Sequence, residues 1–409
     1  MSKNRVIYQS QAIYAGPNKS SGLYIDENAG ANVPTQLSRV QSANYNFEIT
    51  RQDVNQFGNL AAIDRVILDQ PTVGLDTSWY VCSLFNEDIV GFKVNQDTFM
   101  DDALFNTCIG DMLDRTSDER NYYIRVVKEG SDAAGFESVP NTDAQKLLDN
   151  ETIGIGNGFL SSYSVEAAVG GFPTATVAVE GLNIVFYDGI TGLSPFVTAA
   201  DGSKNSEKLF ALPAAVDSPG SSTKVLKPGD ISFELPDTEI GAVASDLKVQ
   251  SFNINLDLGR EPLQKLGSRF AYAREIAFPV TITCSVDALV GDLDTGNLAD
   301  VIESNTDHTL VFKLNKPRVV AGVSHDQHIA YVLKKAKLDS MDFSNTIGDN
   351  KSVSMNFSCQ VGSSEQDDVG MFMSGVTTDD SALHPGYDHG HQHHHITPTY
   401  TYTVTSTPE

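Results

Sequence analysis

No apolar run in this chain approaches the roughly 18 residues that a membrane-spanning helix needs. The opening stretch, MSKNRVIYQSQAIY, lacks the apolar segment of a secretion signal, so neither insertion nor export is expected. Cysteine is sparse: Cys82, Cys108, Cys284 and Cys359 are scattered without metal or redox spacing and read as buried thiols of a reducing cytoplasm. Basic residues are scarce too, 28 Lys and Arg against 53 Asp and Glu, for a formal charge of −25. Phosphate binding needs clustered cations, so a grip on nucleic acid is not expected. Such acidity serves solubility, or lets a polyanion pass without sticking. HExxH, a P-loop and a Ser-His-Asp order are all missing, and nothing gathers the carboxylates at one place; no enzyme and no cofactor is expected.

Three stretches imitate chemistry. GIGNGF (154–159) is glycine-rich but has no following helix or dinucleotide spacing, and reads as a turn. DLDTGNLADVIE (292–303) has its glycine one place early for a calcium loop and lacks the mid-loop ligands, so an acidic helix start is expected. In the C-terminal HPGYDHGHQHHHITPTYTYTVTS, His389, His391 and His393 alternate and would share one face of an extended segment. Near a threefold axis they could hold a transition metal; as a terminal His-rich tract they read as a solvated tail, and no metal is expected.

What the chain does have is a duplication. With an offset of 209, Val40, Gln41, Ser42, Asn44, Asn46, Arg51, Gly58, Ala62 and Arg65 meet identical residues from Val249 to Arg274, nine identities over the 28 positions 38–65. SSYSVEAAVGGFPTATVAVEG (161–181) then aligns with DSMDFSNTIGDNKSVSMNFSC (339–359) at an offset of 178, so the first copy carries about 31 extra residues, placed within 116–157. Each copy predicts two β-hairpins separated by a helix and a strand, the helices over 97–115 and 295–304. Tyr45, Phe47 and Ile49 alternate with Asn44, Asn46 and Glu48, and Phe252, Ile254, Leu256 and Leu258 with Asn253, Asn255 and Asp257. The same period of two runs through 73–79, 162–169, 280–286 and 352–359.

The polar phase of these strands is unusual. Asn44, Asn46, Glu48, Asp76, Ser78, Ser164, Glu166, Asn253, Asn255, Asp257, Thr281, Thr283, Ser285, Ser352, Ser354 and Asn356 make a short, uncharged-to-acidic face almost free of Lys and Arg. Ordinary exposed strands carry lysine, particularly at edges. The arginines stand instead at hairpin ends, as Arg51, Arg65, Arg260 and Arg274. Such a face suits the lining of a channel along which DNA slides, because it offers phosphate no counter-ion to exchange with.

VQSFNINLDLGREP followed by LGSRFAYAREIAFPVTITCSV resembles the tail tube proteins of long-tailed bacteriophages. SYSVEAAVGGFPTATVAVEG is similar to their second hairpin and LKPGDISFEL to the lead into their second domain. The resemblance covers 38–361. It implies a mainly β chain of two tandem tail-tube-type β-sandwich domains, each with two long amphipathic hairpins and a helix, closing into a barrel on oligomerisation. The implied organisation is an N-terminal arm (1–37), tube domain 1 (38–181), a connector (182–246), tube domain 2 (247–361) and an acidic His-rich tail (362–409). Duplicated members form trimeric, pseudo-hexameric rings stacked into a conduit for the genome.

Eight amphipathic strands per chain agree with this. Three chains would close 24 strands, and with strands about 4.8 Å apart and tilted about 40° the barrel is roughly 50 Å across, leaving an opening on the order of 40 Å. The sixteen polar residues above would then line the lumen, with Arg51, Asp53, Arg65, Arg260 and Arg274 making contacts between rings. The expected partners are the chain itself, terminator, tape measure and distal tail proteins, and double-stranded DNA in transit, with no membrane. The place is the virion tail, assembled in the host bacterial cytoplasm. A distal tail or hub protein and a carbohydrate-binding β-sandwich adhesin are the alternatives.

Overall fold

A computed structural model describes residues 10–17, 34–68, 70–95, 106–113, 118–127, 131–134, 150–198, 209–216, 226, 229, 231–234, 247–290, 306–315, 327–344, 350–363, 366 and 368–375. The architecture is mainly β, consistent with a β-sandwich. Its principal elements are β1 (Gln11–Pro17), β2 (Val40–Glu48), β3 (Thr72–Tyr80), α1 (Phe85–Val90), α2 (Gly110–Leu113), β4 (Glu119–Val127), β5 (Asn150–Ala168) and β6 (Thr174–Gly181). The second half contributes β7 (Leu247–Asp257), β8 (Thr281–Val290), β9 (His308–Asn315), β10 (Gln327–Ser344), β11 (Ser352–Gln360) and β12 (Gly370–Gly375).

All eight strands of the repeated hairpins form, and they share one sheet. The order is β2-β3-β6-β5-β7-β8-β11-β10, antiparallel at every step. Alternation explains the burial: along β11, Val353, Met355, Phe357 and Cys359 are buried while the serines and Asn356 between them are partly open. Each large apolar side chain removed from water in this way contributes about 1.5–3 kcal/mol. One core cluster runs through both halves, from Trp79, Tyr163 and Val165 to Ile254, Phe312 and Tyr331.

A second layer grows from the two longest strands. β5 and β10 turn their N-terminal halves out of the eight-stranded sheet to pair with β4 and β9. β1 then pairs β4, Asn183–Asp188 pairs β5, Ile231–Glu234 pairs β9, and β12 joins β10 to Val94–Asn95. Parts of the expected arm, connector and tail are therefore strands of the fold. GIGNGF is likewise no turn but the middle of β5: a Cβ at Gly156 would stand 2.2 Å from the Pro195 carbonyl oxygen, so its glycines admit a crossing backbone rather than reverse the chain.

The helical expectations fare unevenly. Residues 295–304 and most of 97–115 lie outside the described residues, as do 292–303 and the segment with His389, His391 and His393; within 106–113 only α2 is helical. The sequence reading missed α1, which is six residues long. Its signal was Gly91, which takes φ 114° and ends the helix in the left-handed conformation. Among the described residues no helix is long and apolar enough to cross a membrane.

The repeat extends to irregularities of register. A bulge at Gln41 in β2 recurs at Gln250 in β7, and in both places the glutamine Nε2 donates to a carbonyl two residues back, Arg39 (2.9 Å) or Lys248 (3.0 Å). The pairing of β5 with β6 skips Ser161, and that of β10 with β11 skips Asp339. A third shift, between Arg120 and Tyr122, recurs between His308 and Leu310. The first two coincidences reproduce the sequence offsets of 209 and 178 independently of residue identity, and the third sets β4 against β9 at an offset of 188 while its partners on β5 and β10 are again 178 apart.

Candidate assembly surface

The sixteen predicted lining residues fall on one face of the eight-stranded sheet. Register aligns them across strands: Ser78 opposes Thr176, Thr176 opposes Ser164, Ser164 opposes Asn255, Asn255 opposes Thr283, and Thr283 opposes Ser358. A parallel row runs through Glu166, Asn253, Ser285 and Asn356. Between the bulges, residues 40–48, 72–80, 162–168, 174–180, 251–257, 281–287, 340–344 and 352–358 contain seven carboxylates and no Lys or Arg. A shallow cleft of about 240 Å³ lies on this face beside Glu166, Ser251, Asn253, Ser285 and Asp287, without a histidine or a cation in its lining. Side chains of this kind hydrogen-bond water and one another, as Ser251 does with Asp287 at 2.7 Å, and present no fixed positive charge.

Two edges of the sheet are open. Among the described residues β2 pairs only with β3, and residues 337–344 of β10 pair only with β11. Apolar side chains that an inner strand would cover are uncovered there: Tyr45 is 40 % exposed, Phe47 60 % and Phe343 50 %. Their counterparts in the middle of the sheet, Ile254, Leu256 and Val165, are fully buried. Tyr45 and Phe47 thus keep the apolar phase read from the sequence but not the burial, because β2 has a neighbour on one side only. The β10 edge, with Met341, Asp342, Phe343 and Ser344, was not among the predicted site residues. The 178 offset was the signal for it, since it maps this edge onto the buried edge of β5.

The hairpin ends project as two short ribbons, Arg51–Val54 with Asp64–Ile67 and Arg260–Leu263 with Ala273–Ile276. Gly58 (φ 91°) and Gly267 (φ 84°) turn their tips, where Phe57, Leu60 and Leu266 are fully exposed. The Ala271 amide donates to Gln70 Oε1 at 2.6 Å, which ties the second ribbon to the base of the first.

The arginines expected at ring contacts differ between the two copies in what they bond within the chain. Arg260 is sequestered inside the chain: its Nη2 and Nη1 donate to Asp118 Oδ1 and Oδ2 (2.7 and 3.2 Å), and its Nε donates to the Leu160 carbonyl (2.7 Å). Arg274 is buried against Glu180, to which its Nη1 donates. Both bonds cross the β5–β7 junction, which is why they exist only in this copy. Arg51, the counterpart of Arg260, is exposed and makes no ion pair among the described residues, while Arg65 pairs with Asp53 at 2.6 Å on the surface.

Behind the sheet α1 places Glu87 fully inside the core. Its Oε1 accepts from Trp79 Nε1 (3.0 Å) and the Tyr163 hydroxyl (3.1 Å), and Tyr163 meets the Tyr331 hydroxyl at 3.1 Å. Burial raises the carboxyl to about 7, against the lowering effect of its hydrogen bonds. All four cysteines are free and buried; burial pushes Cys359 up to about 12 and raises the others. No protein-family model matches the chain, and no curated protein matches it in sequence.

Proposed function

We propose that this protein is the structural subunit of a bacteriophage tail tube, three copies closing into a ring and rings stacking into a conduit for double-stranded DNA. One observation carries the reading. Between its bulges the eight-stranded sheet has a polar face free of Lys and Arg, with Lys248 and Lys337 standing just beyond them, and among the described residues it stops at two open edges, β2 and the outer half of β10, that expose apolar side chains. Exposed apolar edges invite strand addition, and a closed barrel removes them. Each chain supplies eight of 24 strands, the polar face turns inward, and the apolar ribbon tips around Phe57 and Leu266 reach the next ring. DNA inside meets carboxylates, amides and hydroxyls, so no counter-ions are released and the duplex is not held. Partners are further copies of the chain and the other proteins of the tail; assembly takes place in the bacterial cytoplasm and the product belongs to the virion. Negative-stain microscopy of the purified protein at high concentration tests this: hollow rings or rods with a pore on the order of 40 Å are expected, and monodisperse single chains would contradict it.

A further inference from the structure

The proposed ring needs a seam between copies, and the middle of the sheet already contains a worked version of it. β7 and the inner half of β5 join the two halves of the chain, pairing Asn253 with Glu166, Ile254 with Val165, Asn255 with Ser164 and Leu256 with Tyr163. The open edges are the repeat counterparts of these two strands: β2 corresponds to β7 at an offset of 209, and β10 to β5 at 178, with the same bulges in each. Resting on the ring reading above, we propose that β2 of one copy adds to β10 of the next in the register of the internal junction. Asn44 then opposes Ser344, Tyr45 opposes Phe343, Asn46 opposes Asp342 and Phe47 opposes Met341.

This register has independent physical merit. It covers the exposed Tyr45, Phe47 and Phe343 with one another, as Ile254, Leu256 and Val165 are covered inside the chain. A slip of one residue would turn these apolar side chains onto the polar face, so the period of two disfavours it. It also gives Arg51 a task. Its counterpart Arg260 donates to the Leu160 carbonyl; the same placement sets Arg51 on the Leu338 carbonyl of the neighbouring copy. There Asp307, which pairs with Lys337 at 2.6 Å, lies one position beyond Thr306, the counterpart of Asp118. The contact is head to tail, so it repeats from copy to copy and closes a ring rather than stopping at a dimer.

The polar-face pairs are suited to a covalent trap. At the internal junction the amide of Leu258 donates to the Ser161 carbonyl and that of Val169 to the Gln250 carbonyl, so Asn255 with Ser164 and Asn253 with Glu166 are the pairs that exchange no backbone bonds. Side chains of such pairs stand closest, within disulfide reach. In assembled protein, the Asn46→Cys/Asp342→Cys chain and, separately, the Asn44→Cys/Ser344→Cys chain are expected to cross-link between copies on mild oxidation. They should do so at least about tenfold faster than the Asn46→Cys/Ser344→Cys control, which requires a slipped register. The native thiols are buried and do not compete. Rings that form but cross-link fastest in the control, or in none of the three, overturn the register while the tube reading stands. Wild-type chains that never associate overturn both. The two in-register variants are independent, so a defect in assembly of one leaves the other to decide.

Discussion

Replacing Arg260 by alanine is expected to cost the fold about 3–5 kcal/mol, whereas Arg51→Ala changes stability by less than about 0.5 kcal/mol and instead impairs assembly. The two arginines occupy the same place in the repeat, so the contrast isolates what surrounds them. The Arg260 side chain is 0 % exposed and Asp118 15 %, in a bidentate pair with a third bond to the Leu160 carbonyl. Truncation takes its bidentate partner from a mostly buried carboxylate and the Arg260 donor from a backbone carbonyl, and such losses are large beside a total stability of roughly 5–15 kcal/mol. Among the described residues Arg51 has no ion-pair partner to lose until a second copy arrives. Urea unfolding of both variants at a concentration too low for assembly measures the difference. Equal small effects would mean that the internal junction is not held as described.

Glu87→Gln is the second large effect, and it depends on pH. The Glu87 carboxyl titrates near 7 in the folded chain and near 4.5 when unfolded, because burial disfavours its charge. The folded state therefore holds this proton more tightly. Its contribution is fully present below pH 4.5 and is lost as pH rises through 7, to the extent of about 3 kcal/mol at pH 8. The amide that Glu87→Gln introduces never ionises, and its oxygen still accepts from Trp79 and Tyr163. The variant is expected to match the wild type near pH 4 and to exceed it by about 3 kcal/mol at pH 8. Difference curves cancel the other titrating groups, including Asp88, whose carboxyl burial also raises. Identical stability–pH profiles for the two proteins would contradict a buried, ionisable Glu87.

The eight strands and their polar face were legible because each residue of a half-buried strand reports its own environment through a period of two. What the alternation cannot report is who lies beside a strand. Tyr45 and Ile254 stand at equivalent places and both read as core, yet one is exposed and the other buried, since β7 has both β8 and β5 as neighbours and β2, among the described residues, has only β3. The same holds for Arg51 and Arg260. The outer layer was harder still: the GIGNGF segment of β5 is covered on both sides, so no polar phase marks it, and glycines needed for close approach looked like a turn. α1 is too short for a helical period, although Gly91 marked its end.

The most direct measurement is the mass of a single ring, taken by native mass spectrometry on protein released from rods or trapped before stacking. Three chains of 44.2 kDa each are expected, because eight strands apiece make 24. A closed ring of any other number of chains would contradict the 24-strand ring, and a symmetric dimer in which two β2 edges pair with each other would contradict the head-to-tail closure on which the tube depends.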